Sequence, residues 1–241
     1  MFWLSLCFAA GLVLIHLFSK NMKFLKTVPR SRFLSIAGGI SVAYVFLHLL
    51  PELGIYQEEL GGEVENNTWI FLENHIYLLA MLGLAIFYGL EQMVKSARRK
   101  NGEKEKSSAG VFWVHITSFT LYNGVIGYLL VREEYQSEWG MLFFSIAMGL
   151  HFITNDKGLR VAHKEDYDKY GRWLLAAAIL VGWSIGAFIE VSEVIISYLV
   201  ALLAGGVILN VMKEELPEER ESSFLAFCIG LAGYSLLLFL L

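Results

Sequence analysis

Two cysteines and three prolines are all that the 241 residues contain of either type. Cys7 and Cys228 both fall inside apolar runs. They lack metal-ligand spacing and a loop position suited to a disulfide, so they read as small buried hydrophobes. Pro51 and Pro217 each stand where an apolar run ends, the place expected of a residue that stops a helix. Charge is scarce too: 17% of the residues are charged against 56% hydrophobic, and the mean hydropathy is +0.55. That balance excludes an ordinary soluble domain and predicts a polytopic membrane protein. The net charge of −4 decides little, because the distribution of charge matters more than its sum.

Eight apolar runs approach the ~20 residues needed to span a bilayer: about 1–19, 33–50, 68–94, 109–131, 139–160, 172–189, 194–212 and 222–241. The first has no basic segment ahead of it, and Lys20, Lys23 and Lys26 follow it, so a retained span is expected in place of a cleaved signal. Positive charge is almost missing from alternate loops. The set 20–32, 95–108, 157–172 and 213–221 takes every Lys and Arg except Arg132. The positive-inside rule therefore predicts an integral, multi-pass protein with these loops in the cytoplasm and both termini outside it. The opposite side is acidic, with Glu52, Glu58, Glu59, Glu63 and Glu65 in one loop and Glu133, Glu134 and Glu138 in another. These are either solvated loops or an outer vestibule that gathers cations.

A phrase occurs twice. Ala37-Gly38-Gly39 is followed after ten residues by Leu50-Pro51-Glu52, and Ala204-Gly205-Gly206 after nine by Leu216-Pro217-Glu218. The two runs must cross in opposite directions, which is how inverted repeats of secondary transporters are built. The expected fold is all-α, with eight transmembrane helices in a 3+2+3 arrangement. A single membrane domain comprises repeat one (1–94), a charged, Ser- and Gly-containing cytoplasmic linker (95–108), a central helix pair (109–160) and repeat two (172–241). The stretch from His163 to Tyr170 is expected at the interface, as are Trp69, Trp113, Trp139 and Trp173.

Polar groups at bilayer depth are costly and face a cavity, a partner or a substrate path. The densest set lies in spans four and five: His115 and Asn123 on one helical stripe with Phe119, and His151, Asn155 and Asp156 on the next span. Imidazole nitrogen, carboxylate oxygen and amide carbonyl together suit zinc, iron or manganese. Without a metal, Asp156 would pair with Lys157 or another lysine, and the His and Asn side chains would hydrogen-bond between helices. His48 and Glu52 at the outer end of span two, with Glu73 and His75 at the outer end of span three, are candidates for an outer access site. Glu190 and Glu193 lie at the tight outer turn between spans six and seven. His16 and Glu91, near cytoplasmic span ends, are expected in ordinary interfacial positions.

These features resemble the ZIP (Zrt/Irt-like) family of divalent metal transporters over essentially the whole length. Phe46-Leu47-His48-Leu49-Leu50-Pro51-Glu52 is similar to its second span, and Ala204-Gly205-Gly206 through Leu216-Pro217-Glu218 to its seventh. The family's His-Asn-x-x-Asp-Gly in span four is altered here, with Phe119 in the His position and Asn123-Gly124 for Asp-Gly. Its His-Glu-x-Pro-His-Glu in span five becomes His151-Phe152-Ile153-Thr154-Asn155-Asp156. The resemblance implies a carrier that moves a divalent cation, zinc first among candidates, toward the cytoplasm. Spans one, four, five and six would move against two, three, seven and eight, often in a homodimer. His151 and Asp156 would be ligands, assisted by Asn155 and Asn123, with His115 a substitute from span four. The partners implied are the cation and the lipid bilayer, with no prosthetic group and no nucleic acid. The altered motifs also fit a transport-inactive descendant with a regulatory or scaffolding role. No enzymatic activity is expected: an intramembrane hydrolase around His115, His151 and Asp156 lacks a third strong ligand and an oxyanion stabiliser.

Overall fold

The computed structural model describes residues 1–22, 32–62, 76–101, 109–132, 137–215 and 223–240, and these are helical almost throughout. The helices are α1 (Phe2–Phe18), α2 (Arg32–Tyr44), α3 (Leu50–Gly62), α4 (Ile76–Asn101), α5 (Ala109–Arg132), α6 (Glu138–Asp166), α7 (Arg172–Phe188), α8 (Glu193–Asn210) and α9 (Phe224–Phe239). Among the described residues, six helical stretches are long and apolar enough to cross a membrane: Phe2–Asn21, Arg32–Leu60, Ile76–Ala97, Gly110–Arg132, Glu138–Phe188 and Glu193–Lys213. Phe224–Phe239 is a shorter apolar helix. Side chains such as Leu121, Val181, Phe188 and Leu225 are more than half exposed. In water that surface would be a large apolar patch; it suits contact with lipid. A multi-pass membrane protein is the architecture these helices form.

Two breaks in the helices differ from expectation. Pro51 does not stop its helix. The chain passes through a π turn at Val45–Leu49, where the Leu50 amide reaches back five residues to the Val45 carbonyl, and continues as α3. Proline has no N–H to offer and its ring crowds the carbonyl four residues back, so widening the preceding turn lets the helix survive it. A second π turn, Val211–Glu215, follows α8 directly before Leu216-Pro217, which lie outside the described residues. The wide turn at Val45–Leu49 is held by packing as well as by proline, because Val45 and Leu49 at its two ends are buried. Pro51→Ala is therefore expected to leave the turn in place and shift the melting temperature by no more than about 3 °C, roughly 1 kcal/mol. Thermal unfolding in detergent checks it; a larger loss would make the proline itself the support.

The second difference is at 157–172, expected as a loop. The helix runs on through Glu138–Asp166, leaves helical geometry at His163 (φ −135°, ψ 34°), and enters a π turn at Tyr167–Gly171 before α7. Leu159, His163, Tyr167 and Gly171 are buried and four residues apart. That stripe packs inward and carries the charged residues between its members to the surface.

The longest helix interfaces fall into two sets, which touch one another where α2 packs on α6 and α4 on α5. In one, α5 packs along α7, and α1 lies against α7 and α6. In the other, α2 pairs with α9 and α4 with α8. The second pair of interfaces is built twice in the same way. A methyl group on Gly39 of α2 would collide with the Phe227 carbonyl of α9, and one on Gly205 of α8 with the Ala80 carbonyl of α4. Backbones meet there, and only glycine permits it.

Candidate functional site at the seam of the two groups

A cavity of about 20 Å³, room for about one water, lies where the groups meet. Tyr44, Leu49 and Glu52 contribute from the α2–α3 side, Tyr122 from α5, Met148 from α6 and Ala204 from α8. Glu52 has its Oε1 held by the Tyr56 hydroxyl at 2.8 Å and its Oε2 3.8 Å from His48 Nε2. The His48 ring in turn lies 5.1 Å from that of Tyr44. The outer pair His48 and Glu52 therefore comes together at the cavity; His75 and Glu73 lie outside the described residues.

Past Tyr122 and Met148, the polar side chains of the middle helices are buried but do not form one cluster. His151 is 2% exposed and lies among aromatics, with the Tyr122 ring edge-on at a centroid distance of 6.0 Å and the Phe152 ring tilted at 6.3 Å. Asp156, five residues on, stands about 140° round the helix and so faces elsewhere. Asn155 is buried and its Nδ2 makes no hydrogen bond among the described residues. His115 is two turns and about 12 Å along the axis from Asn123. Its Nδ1 lies 3.0 Å from Nε2 of His163, also buried, with Phe119 packed beside it. Phe119, in the position where the ZIP pattern has a histidine, sits edge-on to Phe87 of α4. Among the described residues, no three His, Cys, Asp or Glu side chains converge as a metal cage.

Asp156 and Asn123 are brought together, by a residue expected elsewhere. His16 is fully buried, and its Nδ1 lies 2.9 and 3.0 Å from the two Asp156 carboxylate oxygens. Its Nε2 lies 2.8 Å from Asn123 Oδ1. The amide orientation follows from its other end, because Asn123 Nδ2 donates to the Phe119 carbonyl at 2.7 Å. Oδ1 can only accept, so Nε2 carries a hydrogen. Nδ1 faces the carboxylate, so both ring nitrogens are engaged at once. The Tyr167 hydroxyl faces the same carboxylate, and the Phe152 ring lies 4.8 Å from the imidazole. Asp156 thus takes its partner from α1, not from Lys157.

α1 is held around this contact at both ends. The Trp183 indole donates to Ser5 Oγ at 3.0 Å, and Arg172 Nη1 donates to the Leu17 carbonyl at 3.0 Å. His16 belongs to a signal that was present but faint: Ser5, Ala9, Leu12 and His16 are the buried positions of α1, one face of an otherwise lipid-like helix. Elsewhere, Arg132 donates from Nε to the Gly186 carbonyl at 2.6 Å and pairs with exposed Glu190 at 3.6 Å, tying the ends of α5 and α7. Glu91 of α4 accepts Lys213 at 2.7 Å and Lys95 at 3.5 Å, an ion cluster within one helix group. No protein-family model, curated protein or solved structure matches the chain.

Proposed function

We propose that the protein is a ZIP-like carrier that moves a divalent metal cation, of the zinc, iron or manganese class, toward the cytoplasm. One observation carries this: the most extensive helix interfaces join α1, α5, α6 and α7, and separately α2 with α9 and α4 with α8, which agrees with the two groups that the resemblance implies, while α2 on α6 and α4 on α5 form the contacts between them. Each group has its own close crossings, and the seam between them holds the cavity, with buried polar residues beyond it. Two groups that are each tightly packed and meet at a ligand-sized seam are suited to move as bodies in alternating access. Taking Glu138–Phe188 as two spans and Phe224–Phe239 as a short one gives eight, with both termini outside the cytoplasm. The matched Gly39 and Gly205 crossings, and the two π turns placed alike after Ala-Gly-Gly, support an inverted repeat. In this reading Glu52 and His48 receive the cation at the cavity. His151, Asp156, Asn155 and Asn123 take it deeper, and His115 with His163 lies on the far side of Phe119. A homodimer is the assembly the resemblance implies.

Uptake of Zn²⁺ into proteoliposomes tests the proposal. His151→Ala combined with Asp156→Asn is expected to lower the rate at least about tenfold, since a buried charged ligand contributes more than the 1.4 kcal/mol that a factor of ten requires. Unchanged uptake by the double variant would remove this site from the path. A second reading, a descendant that no longer transports, is favoured by the absence of a three-ligand cage among the described residues. Well-folded wild-type protein that neither binds nor carries Zn²⁺, Fe²⁺ or Mn²⁺ would decide for it.

A further inference from the structure

The imidazole of His16 lies between two of the oxygens that the carrier proposal assigns to the cation, and it uses both ring nitrogens to do so. Those oxygens stand on opposite sides of a ring about 2 Å across, so with a hydrogen bond on each side they are roughly 7 Å apart. Two oxygens bound to one first-row ion at ~2.1 Å cannot be more than about 4.2 Å apart. The cation and the ring therefore exclude one another. The helix bearing the ring is anchored, by Arg172 to the Leu17 carbonyl and by Ser19 Oγ to the His16 carbonyl. Clearing the position takes a rotation of the His16 side chain, and the two oxygens must then close by about 3 Å to share one ion.

We propose that His16 is an internal plug: its ring occupies the place between Asp156 and Asn123 that a divalent cation takes during transport, and the cation reaches those two oxygens only when the ring has swung out. The plug rests on the carrier proposal and adds a competitor from the chain itself. A binding site that is free for only a fraction of the time shows an affinity lowered by that fraction. The ring leaves only by giving up hydrogen bonds to a carboxylate and to an amide, so the free fraction is small. A weak apparent affinity would then come from the plug and not from a poor ligand set. It would also make release easy, because the ring re-enters as the ion departs.

The experiment is a Zn²⁺ titration of the purified full-length chain in detergent, read by competition with a chelating dye, for wild type, His16→Ala and His16→Gln. Removal of the ring is expected to tighten Zn²⁺ binding about tenfold or more, with the glutamine variant between, because its amide can still bridge to one partner. Zn²⁺ is also expected to raise the melting temperature of His16→Ala more than that of wild type, since a ligand stabilises in proportion to its occupancy of the folded state. Equal or weaker binding by folded His16→Ala would overturn the plug, and weaker binding would make His16 a ligand instead. If His16→Ala does not fold, the glutamine variant decides: tighter binding than wild type supports the plug, equal or weaker binding overturns it. Failure of the carrier proposal looks different. There, neither wild type nor variant binds Zn²⁺ or carries it into proteoliposomes, and the plug falls with it. Zn²⁺ uptake by wild type, without tighter binding in the variants, removes the plug alone.

Discussion

Leucine at position 205 is expected to unfold the α4–α8 pair. The space that a β-carbon needs there is filled by backbone: the Ala80 carbonyl, the Leu84 amide and the Gly83 carbonyl carbon. No side chain can rotate away to make room, so the helices must separate along their crossing and lose contacts on either side. Overpacking into side chains costs about 1–3 kcal/mol, and a collision with backbone belongs at or above the upper end. For a chain of this size, about 3 kcal/mol lowers the melting temperature by roughly 6–12 °C. The control lies on the same interface partner. Gly89 of α4 has nothing within 4 Å of its added β-carbon, so Gly89→Leu is expected to melt close to wild type. Thermal unfolding in detergent compares the two, and equal melting temperatures would mean the helices do not approach as closely as described.

Breaking the His16–Asp156 pair is expected to be the other large effect. Asp156→Ala leaves a ring that has lost its carboxylate in a fully buried place, and orphaning one partner of a buried pair costs about 3–5 kcal/mol. Replacing both, as His16→Leu with Asp156→Leu, is expected to recover at least about half of that, because two apolar groups leave fewer unmet polar demands than one stranded charge. The melting temperatures of wild type, His16→Leu, Asp156→Leu and the double variant complete a double-mutant cycle and give the coupling directly. Additive losses would show that the two residues do not depend on one another.

The long apolar helices were legible because bilayer thickness imposes a length. The Ala-Gly-Gly phrase was legible as a place of close approach, and Gly39 and Gly205 serve as one. What periodicity could not give was the effect of one proline on the turn ahead of it: a missing N–H reads as a stop when a wide turn is an equally good solution. Charge misled at 157–172, where the lysines and acids between Leu159, His163 and Tyr167 concealed a buried stripe. The buried polar side chains of the middle helices were legible, since imidazoles and carboxylates stand out in apolar runs. Their grouping was not. Partners such as His16 and Asp156 are 140 residues apart, and spacing along a single helix carries no information about which neighbour lies across from it. His115, read together with Asn123 from a shared stripe, turned instead to His163, because a common face does not bring residues two turns apart into reach.

The π turn at Val45–Leu49 has an effect on aim. One surplus residue in a helix shifts the clocking of everything downstream by about 100°, so Glu52 stands where the fifty-first residue of an unbroken helix would have pointed. The carboxylate looks into the cavity on that account, and the Tyr56 hydroxyl, four residues on in the same helix, turns with it and steadies it. A chain of the same composition with one residue fewer before Leu50 would fold into the same bundle and face its acid toward a different neighbour.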